Sequence, residues 1–189
     1  MHASSIATKY GAVLFVGMSG VGKSTTLGAF LQRGYTMLAD DITGIILNEQ
    51  QIPVAIPAFP RNKLREDAAT SLGHDISKLP TTRSGLKKYE LYVPSQLAPD
   101  GLPLFRIYQL GTSNTNEFEI TAVQPFEYFG SIVKNTYRQH FLDGLEMRVP
   151  HFDMISCVAR HAEMRRVVRP RGIPTLDRVV SLIEADLAN

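Results

Sequence analysis

The segment Gly17-Met18-Ser19-Gly20-Val21-Gly22-Lys23-Ser24 matches the pattern G-x-x-x-x-G-K-[ST]. It restricts the chain to folds in which a strand runs into a tight loop that opens a helix. The flanks agree. Ala12 to Val16 reads as an apolar strand, and Leu27, Phe30 and Leu31 recur at i, i+3, i+4, which predicts a helix over Lys23 to Gln32 that stops at Gly34. In such a loop the glycines adopt backbone angles that aim successive N–H groups inward, and the helix N-terminus adds partial positive charge. The result is a cradle for phosphates, with Lys23 as a point charge on the β- and γ-phosphates and the Ser24 hydroxyl as an oxygen donor to Mg²⁺. Gly17, Ser19, Gly20, Val21, Gly22, Lys23, Ser24 and Thr25 are therefore the expected nucleotide-binding residues, with ATP and Mg²⁺ as ligands.

The helix predicted after the loop is followed by a strand, Tyr35 to Asp40. A helix of about ten residues covers roughly 15 Å, and a strand of that size returns a similar distance. A right-handed crossover lays this strand parallel to the first and brings its carboxyl end, Asp40 and Asp41, beside the phosphate loop. Consecutive strand residues face opposite ways, so the two acids are expected to divide the work: one on the metal, directly or through water, and one taking a proton. The expected allocation is Asp40 as base and Asp41, with Ser24, on the metal side. Such a site suits transfer of a phosphoryl group to a hydroxyl, and hydrolysis to water would use similar parts.

With 189 residues, 44% hydrophobic and 20% charged, the chain is expected to form one α/β domain spanning residues 1–189. No apolar run is long enough to span a bilayer and no secretory start is present, so no membrane partner and a cytoplasmic location are expected. Net charge is +2, and the arginines near the end (Arg160, Arg165, Arg166, Arg169, Arg171, Arg178) read as a solvated face, with no aromatic interleaving that would indicate nucleic acid. The lone Cys157 reads as a small buried hydrophobe, and the histidines lack zinc-ligand spacing. Two basic clusters, Arg61, Lys63, Arg65 and Arg83, Lys87, Lys88, could reach phosphate or an acidic peptide end, but surface solvation is the favoured reading.

Along the rest of the chain the pattern predicts strands at Ala3 to Thr8 and Ile42 to Leu47, the latter forming a hairpin with Ile52 to Ile56. It also predicts a helix over Lys63 to Leu72, strands at Tyr89 to Val93, Leu104 to Leu110 and Phe118 to Val123, and helical patterns over Phe126 to Thr136 and Tyr137 to Leu142. Phe152 to Ala159 and Arg165 to Val168 read as strands. A final helix is capped by Thr175, with Leu176, Val179, Val180, Ile183 and Leu187 on one side.

His2-Ala3-Ser4, the loop Gly17 to Ser24, and Arg33-Gly34-Tyr35 leading to Ala39-Asp40-Asp41 together resemble the catalytic domain of HPr kinase/phosphorylase. The similarity extends to short homologues of that group found beside lasso-peptide biosynthesis genes, through Pro57-Ala58-Phe59-Pro60, Lys63-Leu64 and Asn135-Thr136-Tyr137-Arg138. The resemblance implies a single P-loop domain with a mixed sheet, of the type shared with phosphoenolpyruvate carboxykinase. It also implies a catalytic base at Asp40, a histidine at His2 that hydrogen-bonds a catalytic carboxylate, and a second phosphate contact at Arg138. The implied activity is phosphorylation of a serine on a protein or peptide, the short homologues acting on the carboxyl-terminal residue of a lasso precursor; a homo-oligomer stays open. The residues alone also fit a small-molecule hydroxyl kinase or a nucleotide-sensing protein without transfer.

Overall fold

β2 (Gly11–Val16) is the spine of the molecule, and every one of its residues is buried. Its side chains alternate between two cores: Val13 and Phe15 enter one, while Ala12, Leu14 and Val16 enter the other. A strand buried on both faces has little use for polar alternation, hence its unbroken apolar run. β1 (Ser4–Thr8) pairs antiparallel with β2 through a tight turn, and α1 (Lys23–Gln32) and β3 (Thr36–Ala39) follow the loop. The computed structural model describes residues 1–83, 86–171 and 175–189.

β4 (Gly44–Leu47) and β5 (Pro53–Ile56) form the predicted hairpin. β6 (Arg61–Arg65), β7 (Thr81–Arg83) and β8 (Leu86–Tyr92) make a separate antiparallel sheet in the order β6-β8-β7, with α2 (Glu66–Ser71) between β6 and β7. Next come β9 (Leu102–Ser113), β10 (Glu119–Ala122), α3 (Pro125–Lys134), α4 (Arg148–His161), β11 (Glu163–Pro170) and α5 (Leu176–Ala188). The principal sheet is mixed, in the order β10-β11-β9-β2-β1-β3, and β5 pairs with the start of β9. Helices cover both faces. α1 and α5 enclose Phe15, Phe30, Tyr108, Val180 and Ile183, while α3 and α4 enclose Leu14, Leu38, Ile107, Ile132 and Val158. The chain is thus a mixed α/β fold.

Several expectations are corrected. β3 runs in the same direction as β2, but β1 lies between them, antiparallel to both, so the two are not neighbours. The carboxyl end of β3 still arrives beside the loop. Residues 63–65, expected to begin a helix, belong to β6, because alternation puts Asn62 and Leu64 inward; only Glu66–Ser71 is helical. Residues 152–159, expected as a strand, belong to α4, where Ile155, Cys157 and Val158 are buried. Pro150 sits in the first turn of that helix, where its missing N–H costs nothing. Residues 137–142 hold only a 3₁₀ turn, Gln139–Phe141. Thr175 occupies the position before α5, yet its side chain caps no backbone N–H and instead meets Arg169. Of the basic clusters, the side chains of Arg83 and Lys87 lie outside the described residues.

Candidate phosphate-binding site

The loop leaves β2 at Gly17, whose φ of 137° lies in the region open to glycine, and a Cβ there would stand 2.7 Å from the Leu110 carbonyl oxygen of β9. Gly22 precedes α1 with φ 110°. The backbone between them closes through Val21 N–H to the Met18 carbonyl, and Thr26 N–H donates to the Gly22 carbonyl to begin the helix. Lys23 folds back over the loop, its Nζ donating to the carbonyls of Gly17 at 2.8 Å and Met18 at 3.3 Å. Burial pushes the Lys23 ammonium below its ordinary value of 10.5, against the opposing pull of Asp40 and Asp41 and with a smaller downward push from Lys88. The lysine is thus partly desolvated and its ammonium rests on two carbonyls of the loop.

Asp40 stands at the centre of the site. Its Oδ1 accepts from Ser4 Oγ at 2.6 Å, Ser24 Oγ at 2.9 Å and the Asp41 N–H at 2.9 Å, and its Oδ2 accepts from Asn62 Nδ2 at 3.1 Å and the Lys63 N–H at 2.8 Å. A carboxylate offers about four lone-pair positions, so these donors leave it little capacity to capture a substrate proton. Asp41 differs. It has φ 72°, its side chain is 38% exposed, and its neighbours are Lys63 Nζ at 3.4 Å and His2 Nδ1 at 3.6 Å, with that same ring nitrogen 2.9 Å from the Asp41 carbonyl oxygen. Lys23, Ser24, Asp40, Asp41 and His2 are therefore brought together, but with the hydroxyl–carboxylate contact at Asp40 and the open carboxylate at Asp41.

Arg138 is not part of the group. Its backbone is left-handed at φ 51°, its Nε donates to the Tyr137 hydroxyl, and its guanidinium lies over the rings of Tyr137 and Phe141. From the same segment it is Asn135 that reaches the loop: Oδ1 accepts the Gly17 N–H at 3.0 Å, the backbone carbonyl accepts the His2 N–H at 2.7 Å, and Nδ2 donates to the Ser131 carbonyl. Ser4, Asn62, Asn135 and Arg169 escaped the sequence reading. The alternation of Asn62 and Leu64 was a usable cue for an inward polar residue on a strand. Asn135 and Arg169 meet the loop across 118 and 148 residues of chain, so neither the segment Asn135 to Arg138 nor the arginine run near the end indicates by itself that these side chains reach it.

The donors present fit Mg²⁺. The Ser24 hydroxyl oxygen, which donates its proton to Asp40 Oδ1 at 2.9 Å, keeps lone pairs for the ion, and Asp40, whose oxygens already accept five hydrogen bonds, could meet it through one of the waters that Mg²⁺ retains. Beside the loop a groove of about 690 Å³ runs from Gly20, Gly22 and Thr25 along the outer side of α1 toward α2 and the start of α5. Its volume is that of an ordinary small-molecule site.

No family model matches the chain, and no curated protein does. Among solved structures, 41 chains match. One is the Hpr(Ser) kinase/phosphatase from Coxiella burnetii, similar at a TM-score of 0.46 and 9% identity, with 100% of this chain and 90% of that chain covered. Among the described residues, no helix is long and apolar enough to cross a membrane.

Proposed function

We propose that this protein is an ATP- and Mg²⁺-dependent kinase that transfers the γ-phosphoryl group to a hydroxyl, with a serine of a peptide or protein as acceptor. Within that class the resemblance to short HPr-kinase-like homologues favours a lasso-type precursor peptide. The single observation that carries the reading is the pairing, at one loop, of a partly buried hydroxyl–carboxylate contact, Ser24 with Asp40, and a more accessible carboxylate, Asp41.

In this reading Lys23 and the loop N–H groups other than those of Gly17 and Val21, which bond to Asn135 Oδ1 and the Met18 carbonyl, hold the phosphates, and Mg²⁺ held by Ser24, with Asp40 reaching it through water, would neutralise phosphate charge. The acceptor hydroxyl lies against Asp41. Its oxygen bonds to the γ-phosphorus as the bridging bond to the β-phosphate breaks; its proton passes to Asp41, and ADP leaves. Lys63 and His2 keep the Asp41 side chain at the mouth of the loop. This allocation reverses the sequence expectation of Asp40 as base, for a physical reason: Asp40 is filled by donors and Asp41 is not.

The test is incubation of the purified protein with Mg²⁺, γ-labelled ATP and serine-containing peptides, read by mass spectrometry. One added phosphate per peptide is the expected result. Lys23→Ala should abolish it through lost binding, and Asp41→Asn should bind ATP but not transfer. ATP binding with no labelled peptide would sink the peptide-kinase reading in favour of a small-molecule kinase or a nucleotide sensor.

A further inference from the structure

β2, β9 and β11 are mutually parallel, so their carboxyl ends lie along one edge of the sheet. The phosphate loop leaves that edge from β2, and Arg169, the penultimate residue of β11, stands on the same edge two strands away. Its guanidinium crosses to the loop. Nη2 is 3.4 Å from the Val21 carbonyl oxygen and 3.6 Å from where a Cβ on Gly22 would lie, and Nη1 is 3.4 Å from both the Pro170 carbonyl oxygen and Thr175 Oγ1.

These are poor partners for a permanent charge. All three contacts lie beyond the usual 2.9–3.0 Å for N–H···O bonds, and all three acceptors are neutral. No carboxylate of the described residues pairs with Arg169, whereas Arg33, Arg61, Arg65, Arg106, Arg148, Arg165 and Arg166 all have one. Burial lowers the proton affinity of Arg169 from the ordinary arginine value, and no anion compensates. A half-buried guanidinium without a counter-charge, pointed at a phosphate cradle, lacks only the anion.

The positions of the two cations divide the cradle. Lys23 Nζ sits over the first residues of the loop, Gly17 and Met18, while Arg169 sits against the last, Val21 and Gly22. A phosphate-loop lysine serves the β- and γ-phosphates, and the backbone cradle extends to the α-phosphate. The groove that begins at Gly22, Thr25 and Arg169 gives the nucleoside a way out on that second side. An arginine fork can bridge two phosphate oxygens, which an ammonium cannot.

We propose that Arg169 is a phosphate-binding residue, taking the α/β side of the phosphate chain opposite Lys23, with the nucleoside leading into the groove between α1, α2 and α5. The proposal rests on the nucleotide-binding reading and adds to it a second cation that no loop motif contains.

The test is titration calorimetry of Mg²⁺-ATP and of inorganic pyrophosphate against the wild type, Lys23→Ala, Arg169→Gln and Arg169→Lys, with thermal unfolding of each apo protein. Glutamine keeps an N–H₂ for the Val21 or Thr175 oxygen while removing the charge, so a merely bracing role survives it. The expected result is a tenfold or greater loss of affinity for both ligands in Arg169→Gln at an unchanged apo melting temperature, with partial recovery in Arg169→Lys. Affinity within twofold of wild type in Arg169→Gln, while Lys23→Ala is impaired, overturns the proposal and leaves the phosphate-loop reading standing. Loss for ATP with pyrophosphate unaffected also overturns it, because Arg169 would then serve the nucleoside. If Arg169→Gln is destabilised or does not fold, Arg169→Lys decides alone: at least threefold weaker pyrophosphate binding supports the proposal, and wild-type affinity refutes it. A wild type that binds neither ligand removes the nucleotide reading itself, and this proposal with it.

Discussion

Replacing Asp40 or Asp41 by asparagine separates the roles of the two acids through stability as well as activity. In Asp40→Asn one carboxylate oxygen becomes an amide N–H₂. Turned toward Oδ1 it would face three donors; turned toward Oδ2 it faces two, Asn62 Nδ2 and the Lys63 N–H. The less costly orientation therefore loses two hydrogen bonds to a charged group, about 1.5–3 kcal/mol each. Relief from burying a charge returns part of this, so a net loss of about 3 kcal/mol is expected. For a chain of this length that corresponds to a fall of roughly 6–12 °C in melting temperature. Asp41→Asn gives up only half-exposed ion pairs to Lys63 and His2, worth about 0–1 kcal/mol. Asparagine also tolerates the left-handed backbone at this position well. Differential scanning fluorimetry of the two variants, beside single-turnover transfer from labelled ATP, reads both quantities. The expected pattern is a destabilised Asp40→Asn with weakened Mg²⁺-ATP binding, and a stable Asp41→Asn that binds and does not transfer. An Asp40→Asn protein that melts and binds like wild type yet fails to transfer would refute the reasoning and return the base to Asp40.

Two further outcomes follow from the loop. Asn135→Ala strips the Gly17 N–H of its acceptor at a cost of about 1–3 kcal/mol, so it should lower both melting temperature and ATP affinity, with Asn135→Asp recovering part; unchanged values for Asn135→Ala would show that this bond does not hold the loop. Because burial lowers the Lys23 value in the folded chain, the unfolded chain binds more protons in the window just below pH 10.5, and apo stability should rise with pH across that window. Phosphate beside Lys23 restores its proton affinity, so nucleotide binding there should take up protons. Calorimetry in two buffers of different ionisation enthalpy measures this, and equal heats in both would contradict it.

The parts legible in sequence are those whose partners are near in the chain. The loop, α1 and the aspartate pair fall within Gly17 to Asp41, and their motif carries its own strand and helix context. What was misread turns on tertiary placement. The apolar residues Met154, Ile155, Cys157 and Val158 suit a buried strand or a helix equally, and only packing against β5 and β9 settles α4. Asn62 reads as an ordinary polar residue until β6 is laid against Asp40. The division of roles proposed for Asp40 and Asp41 rests on donors from residues 4, 24, 62 and 63, which spacing does not reveal. The resemblance points to Arg138 in its segment, whereas the side chain that reaches the loop from there is the amide of Asn135.

The phosphate strand β2 has one neighbour from its own hairpin and another, β9, that begins at Leu102. During synthesis the first forty residues can therefore assemble the inner strands and helix through short-range contacts, while β9, Asn135 and Arg169 must close much larger loops before they arrive. Until they do, the Gly17 N–H has no acceptor and the far end of the cradle has no guanidinium. A complete loop, with both of these partners in place, is thus a property of the finished chain, and protection of the Gly17 amide during refolding would date the moment at which the last strands dock.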